Sequence, residues 1–494
     1  MALVGEQLEI PLLTVAVLLP LALTPLTFLI GRKASWRAAS VFSHAVFAIP
    51  LGIMLWFLPS MIEGAVFYES YDWVPFYGLR FSLVLDSLSY PFALLVSLMG
   101  ILTAVYSHKY MEREHSLDAY MALNQLFMAG MLGVVLVSNL FLFYIFWELM
   151  LIPSYALIAY WGTGNTRQVS FKYFVFTHAG ALSLLIGIAW LAALFGNLDM
   201  FELADMAAGA GAELRPVLTT IAILIFIGVG IKMAVFPFHS WLPDAYAEAP
   251  TPVSVMLSAA MTKSGVYAFA RLITGILPFT LQDIGWAIAF LAVINMVWGG
   301  MMSMVQNDVK RLLAYSSISQ MGYIVFGLAT ATAIGLQGGI FQTLNHGFAK
   351  ALLFMAAGTL IYRLGERDLT KLGGLASRMP VTAIAVVLGG LSVAGTPPLG
   401  TFISEWMIFS GGLEKGWTLS VAVAVFATAI TVGYYLRLVR ALFFGEKQPE
   451  VREAPSMLLA PMAVLMFLVV ILGFLNAPLL GIIARASIIL LPPS

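Results

Sequence analysis

FIGVGIKMAVFPFHSWLPDA, residues 226–245, carries one lysine, Lys232, in an apolar run that breaks at Pro237. A run of this kind suits a membrane span. An ionisable side chain at bilayer depth costs several kcal/mol, so it is by default a residue that serves charge movement. LFYIFWELMLIPSYALIAYW, residues 142–161, encloses Glu148 in the same way, and Lys263, His346, Lys350 and Glu405 sit in further apolar segments. The membrane is therefore where such a chain works and not only where it is anchored.

Composition bounds the class. Of 494 residues 61% are hydrophobic and 10% charged, with a mean hydropathy of +0.94, more apolar surface than any soluble core requires. With no cysteine there is no disulfide, thiolate-held cluster or c-type haem, so no cofactor is expected on this chain. The net charge is zero, which gives nucleic-acid binding no basis. The first apolar helix is too long for a cleaved signal and lacks a basic leader, so it reads as a retained span.

A hydropathy window of about 19 residues predicts an all-α polytopic membrane protein with about fourteen transmembrane helices. Their expected spans are 10–30, 38–58, 81–106, 118–137, 139–161, 170–195, 217–238, 251–274, 282–304, 310–330, 333–361, 380–411, 417–443 and 457–484. The polar interruptions 59–80 and 196–216 read as short caps. With both termini outside, Arg32, Lys33, Arg37, Lys109, Arg113, Arg167, Lys172, Lys310, Arg311, Arg363, Arg367, Lys371, Arg378, Arg437, Arg440, Lys447 and Arg452 fall on the cytoplasmic face. Arg80, Arg215, Arg271, Lys415 and Arg485 fall on the other, an asymmetry that follows the positive-inside rule and supports the helix count.

Expected helix seven breaks at Pro237, and expected helix twelve breaks at GTPPLG, residues 395–400, shortly before Glu405. Proline removes a backbone donor, and inside lipid the freed carbonyls need protein or water partners. Broken helices at corresponding places point to an inverted repeat with its ion sites near the midplane. The expected units are 1–117 with three helices, a five-helix repeat at 118–275 (helices 4–8), a second at 276–445 (helices 9–13), and a last helix in 446–494. The repeat rests on topology, without residue-level identity between the halves.

FWELMLIPSYALIAYWG at 146–162, KMAVFPFHSWLPDAYAEAPTPVSVMLSAAMTKSGVYAFAR at 232–271, NDVKRLLAYSSISQMGY at 307–323, NHGFAKALLFMAAG at 345–358 and GTPPLGTFISEW at 395–406 together resemble the antiporter-like subunits of respiratory complex I. Among these they are most similar to subunit 4 of NADH dehydrogenase, the bacterial M chain. Related chains occur in archaeal membrane-bound hydrogenases and in multi-subunit cation/proton antiporters. The resemblance implies a multi-pass protein of the plasma or inner membrane that moves protons. Its partners would be further antiporter-like membrane subunits, lipids, and a peripheral redox arm holding the iron–sulfur clusters.

The resemblance also implies that Glu148 pairs with Lys232, that Lys263 is the central relay lysine, and that Glu405 is the terminal proton site, a position filled by lysine in some relatives. The bland reading of the first pair is a static ion pair. His346 and Lys350 are spaced i, i+4 and share one helix face. A histidine titrates near neutrality, which makes His346 a bridge between Lys263 and Glu405, against the alternative of a carbonyl-bonded core histidine. Lys350 is long enough to snorkel from other depths. Gln320 stands where many relatives carry histidine and cannot take up a proton. His239 and Asp244 either line a proton funnel or build the turn, and His178 can tune Lys232 if it faces inward. Asp86, Tyr90, Ser316 and Ser319 read as polar lining or helix-to-helix hydrogen bonds. Ligand spacing for a metal is missing. The rival to a redox-driven proton pump is a cation exchanger trading sodium for protons; a purely structural chain fits poorly with so many buried ionisable groups.

Overall fold

Apolar runs of about twenty residues satisfy their backbone groups in lipid only by coiling into helices. Helices dominate the computed structural model, which describes residues 5–77, 79–445 and 451–491. The first six are α1 Leu12–Lys33, α2 Trp36–Glu63, α3 Ser89–Tyr110, α4 Leu117–Leu136, α5 Leu140–Trp161 and α6 Thr166–Phe195. They are followed by α7 Met200–Ala208, α8 Arg215–Lys232, α9 Leu242–Glu248, α10 Thr251–Met256 and α11 Thr262–Ala268. The remainder are α12 Thr280–Val305, α13 Val309–Ala329, α14 Ala333–Leu364, α15 Pro380–Val393, α16 Gly400–Glu414, α17 Thr418–Phe443, α18 Ser456–Phe474 and α19 Ala477–Leu490. Among the described residues twelve helices are long and apolar enough to cross a membrane, and the chain is a multi-pass membrane protein.

Several expected boundaries move. Helix three begins at Ser89 and not at 81, because β3 Leu79–Leu85 pairs antiparallel with β2 Phe67–Val74, with β1 Glu6–Gln7 parallel to β2 on its far edge. Glu69 on β2 is buried and accepts from Leu13 N–H (2.7 Å), Thr14 N–H (2.9 Å) and Thr14 Oγ1 (2.6 Å), capping the start of α1 where a carboxylate suits the helix dipole. The interruption 196–216 folds α7. The expected last helix is two, parted at Leu475–Asn476. Segment 251–274 is α10 and α11 with π-helical stretches at Leu257–Met261 and Phe269–Thr274. Lys447 lies outside the described residues.

Both expected breaks are present, and their exposed backbone groups find side-chain partners. At the first, α8 ends at Lys232 and Ala234 takes a positive φ of 56°. Trp241 Nε1 donates to the Ile231 carbonyl (2.9 Å). Asn295 of α12 accepts from Phe236 N–H (2.7 Å) and donates to the carbonyls of Ala234 (3.2 Å) and Ile318 (3.3 Å). At the second break, between α15 and α16, Gln320 of α13 donates to the Val393 carbonyl (3.3 Å). Gly395 has φ +65° with the Glu405 carboxylate lying against it, so a side chain there would meet both a strained backbone and that carboxylate. Each break holds one cis X–Pro bond, Phe236–Pro237 and Pro397–Pro398. Helix α14 runs through the centre, buried from Gly338 to Leu360 and packed on α3, α10, α13, α15, α16 and α18.

Asn295→Leu removes the side-chain partners of Phe236 N–H and the Ala234 carbonyl, and is expected to lower stability by about 1–3 kcal/mol. A detergent thermal melt of the purified protein measures this; an unchanged midpoint contradicts the role given to Asn295.

Candidate functional site

Lys232 is the last residue of α8, buried, with Nζ 5.5 Å from the centroid of the Trp147 ring. Gly265 of α11 lies beside it, leaving room that a larger residue would close. Glu148 follows Trp147 on α5, and consecutive side chains on a helix point about 100° apart. Its carboxylate accordingly turns toward α6, meeting His178 Nδ1 there (3.4 Å) and accepting from Tyr144 Oη one turn back on α5 (3.3 Å). Glu148 and Lys232 are not within ion-pair distance. The direct contact expected from the resemblance is not made here, although Glu148 still lies near enough to act on the Lys232 ammonium through its charge; His178, stacked on Phe174, sits against Glu148.

Lys263 is buried on α11 between the two π-helical stretches. Its Nζ donates to the Ser258 carbonyl (2.6 Å) and lies 2.8 Å from His346 Nδ1 on α14. An ammonium only donates, so while Lys263 is charged His346 must accept at Nδ1 and keep its proton on Nε2. The two groups thus share one transferable proton. His346 Nε2 has no partner among the described residues.

Helix α14 carries a polar stripe at i, i+4, i+8: Gln342, His346 and Lys350. Lys350 does not snorkel; it is fully buried and donates to the Leu313 carbonyl (2.9 Å), Tyr435 Oη (3.2 Å) and Ser316 Oγ, all neutral. Gln342 donates to Gln320 Oε1 (2.6 Å) and accepts from Ser404 Oγ (2.5 Å), and Asn345 donates to the same hydroxyl (3.3 Å). Glu405, next to Ser404 on α16, is buried with its carboxylate turned to the Gln320 amide. Gln342, Ser404 and Tyr435 were missed in the sequence; the i−4 spacing from His346 was the available signal for Gln342.

Asp244 and His239 both have side-chain partners at the first break. Asp244 is held between Lys172 (2.9 Å) and Arg311 (2.8 Å), beside Arg367, which binds Glu248 (3.0 Å) and Asp308. His239 accepts from Trp298 Nε1 (3.1 Å) and stacks on Phe236. Asp86 is no loose lining group but a buried bidentate partner of Arg271 (2.7 and 2.8 Å) that also caps α3. Among the described residues no group of three His, Asp or Glu side chains can hold a metal ion.

A bundle of apolar helices with two broken members and a buried row of lysine, histidine and glutamate defines a polytopic membrane protein of antiporter-like fold. The model of the family described as NADH:quinone oxidoreductase/Mrp antiporter matches residues 137–431, and that described as the N-terminus of chain 5 of NADH-ubiquinone oxidoreductase (complex I) matches 73–121. The chain belongs to this family of antiporter-like membrane subunits. It is 31% identical over 491 residues to F(420)H(2) dehydrogenase subunit M of Methanosarcina mazei, covering 97% of each chain. It is 34% identical over 425 residues to NADH-quinone oxidoreductase subunit M of Pseudomonas aeruginosa, covering 84% of this chain and 82% of the relative. Among solved structures the Mrp complex from Dietzia sp. DQ12-45-1b contains a chain that superposes with a TM-score of 0.88 at 25% identity over 98% of both chains.

Removing one partner of a buried ion pair strands the other charge, so Asp86→Ala is expected to cost about 3–5 kcal/mol. Lys350→Met, which leaves only neutral groups behind, is expected to cost far less. Thermal melts of the two variants compare them; equal losses contradict this assignment.

Proposed function

We propose that this chain is the proton-translocating membrane subunit of a redox-driven, complex I-like respiratory complex. The observation that carries the reading is the hydrogen bond between Lys263 and His346, two buried groups that share one proton where helices from both halves meet. In this reading the composite segments Thr251–Thr274 and Pro380–Glu414 each cross the membrane once, making fourteen crossings, and both termini lie outside the plasma or inner membrane. The two five-helix units at 118–275 and 276–445 are an inverted repeat, flanked by 1–117 and 446–494.

Protons reach Lys232 from the lysine- and arginine-rich face. Glu148 moves between His178 and the ammonium of Lys232. When it swings to His178, Lys232 loses its counter-charge and passes a proton toward Lys263. His346 relays it past the Gln342–Gln320–Ser404 string to Glu405, which releases it on the opposite face; Gln320 and Gln342 carry no proton themselves and act through ordered water. Lys350, close to that path, sets the charge state of its neighbours, and His239 lines the uptake side. The electron chemistry belongs to partners: further antiporter-like membrane subunits and a peripheral arm with iron–sulfur clusters, with lipids around them. The NADH-quinone oxidoreductase and F(420)H(2) dehydrogenase relatives favour this reading.

The similarity to the Mrp chain supports a second reading, a subunit exchanging a cation for protons without redox input. Purification of a tagged chain in a gentle detergent separates the two. Iron and hydrophilic partners in stoichiometric amounts are expected; a membrane-only assembly without iron supports the exchanger. In the reconstituted complex, Lys263→Met is expected to keep most electron transfer and to slow proton pumping about a hundredfold. Pumping at the native rate contradicts the relay.

A further inference from the structure

The relay so far takes its protons past the first helix break, yet Asp244 there is tied into ion pairs. A different set of buried polar groups reaches Lys263 from the same face. Ser107 Oγ lies 3.2 Å from Tyr120 Oη, and Gly100 packs on Met128, so α3 and α4 run antiparallel with Thr103 level with Asn124. Thr103 falls between Gly100 and Ser107 on the stripe of α3 that faces α4, and Asn124 falls midway between Tyr120 and Met128 on the matching stripe of α4. Both are almost wholly buried, 0% and 1% exposed, and neither the Thr103 hydroxyl nor either atom of the Asn124 amide has a hydrogen-bond partner among the described residues.

Helix α11 closes the inner end of this interface and packs on both α3 and α4. Tyr267 and Arg271 turn to the α3 side and Gly265 turns to α8; Ser264, three residues before Tyr267, lies between these directions, on the side of α11 that packs on α3 and α4. Its hydroxyl is also buried and unpartnered, and it adjoins Lys263 in the chain. Buried amides and hydroxyls nearly always find partners, and where protein supplies none the partner is bound water.

We propose that the α3–α4–α11 interface holds a chain of bound waters that conducts protons from the face bearing Lys109 and Arg113 to Lys263. Tyr120 and Ser107 mark its mouth, Asn124 and Thr103 its middle and Ser264 its end. Each water accepts a proton from the one before and gives one to the next, and the last proton goes to the lone pair of neutral Lys263. The side chains hold the waters and do not titrate. This rests on the relay reading above.

The test uses the complete complex in vesicles, comparing protons moved per electron. Asn124→Leu is expected to slow proton transport about tenfold or more with electron transfer retained, and Asn124→Gln, which keeps an amide, to recover most of it. Thr103→Val, nearly isosteric, is expected to slow transport as well and serves if the leucine variant does not assemble. A high-resolution map of the native complex is expected to show waters on Asn124 and Thr103. Native ratios in Asn124→Leu or Thr103→Val overturn the proposal, even where waters are seen, because the water is then structural only. Lys263→Met separates the two failures: a silent Lys263→Met beside native Thr103→Val sinks the water chain alone, whereas native pumping by Lys263→Met sinks the relay.

Discussion

The hydrogen bond between Lys263 Nζ and His346 Nδ1, at 2.8 Å, is the contact on which the rest of the arrangement depends. Neither group tolerates burial alone, and together they accommodate one positive charge inside a bundle that offers few others. The two π-helical stretches around α11 serve this contact. A π turn leaves backbone groups out of the regular ladder, such turns concentrate at functional sites, and here the Ser258 carbonyl accepts directly from the lysine. Helix α14 is the counterpart: its Gln342, His346 and Lys350 stripe gives one rigid element contacts to α11, α13, α16 and α17.

The breaks obey the same constraint for the backbone. Lipid offers no hydrogen bonds, so a helix can open only where other protein groups or water replace the lost partners. Asn295 and Trp241 do so at the first break and Gln320 at the second. Two of these three come from other helices, so each opening is a tertiary feature, and Gln320 ties the second opening to the Glu405 site.

Much of this was legible in the sequence. The apolar runs set the helices, Pro237 and the 395–400 stretch marked the breaks, and an ionisable residue amid aliphatics needs a reason wherever it stands. What stayed hidden depended on angles and on partners remote in the chain. The hairpin Phe67–Leu85 was obscured because its outward residues, including Tyr71 and Trp73, are aromatic and blurred the alternation. No local signal distinguishes the π turns around Lys263 from an ordinary helix. That Glu148 meets His178 and not Lys232 follows from the turn of one residue past Trp147, which hydropathy does not report. Gln342, a neutral amide, carried no flag beyond its spacing from His346.

The most direct test is nitrogen-15 magnetic resonance of the assembled complex in lipid nanodiscs, with lysine and histidine labelled. The shared proton predicts that Lys263 and His346 never hold two at once at neutral pH: His346 gives the signals of a neutral ring with its proton on Nε2, and these change in Lys263→Met. An imidazolium at His346 coexisting with an ammonium at Lys263 would contradict the account.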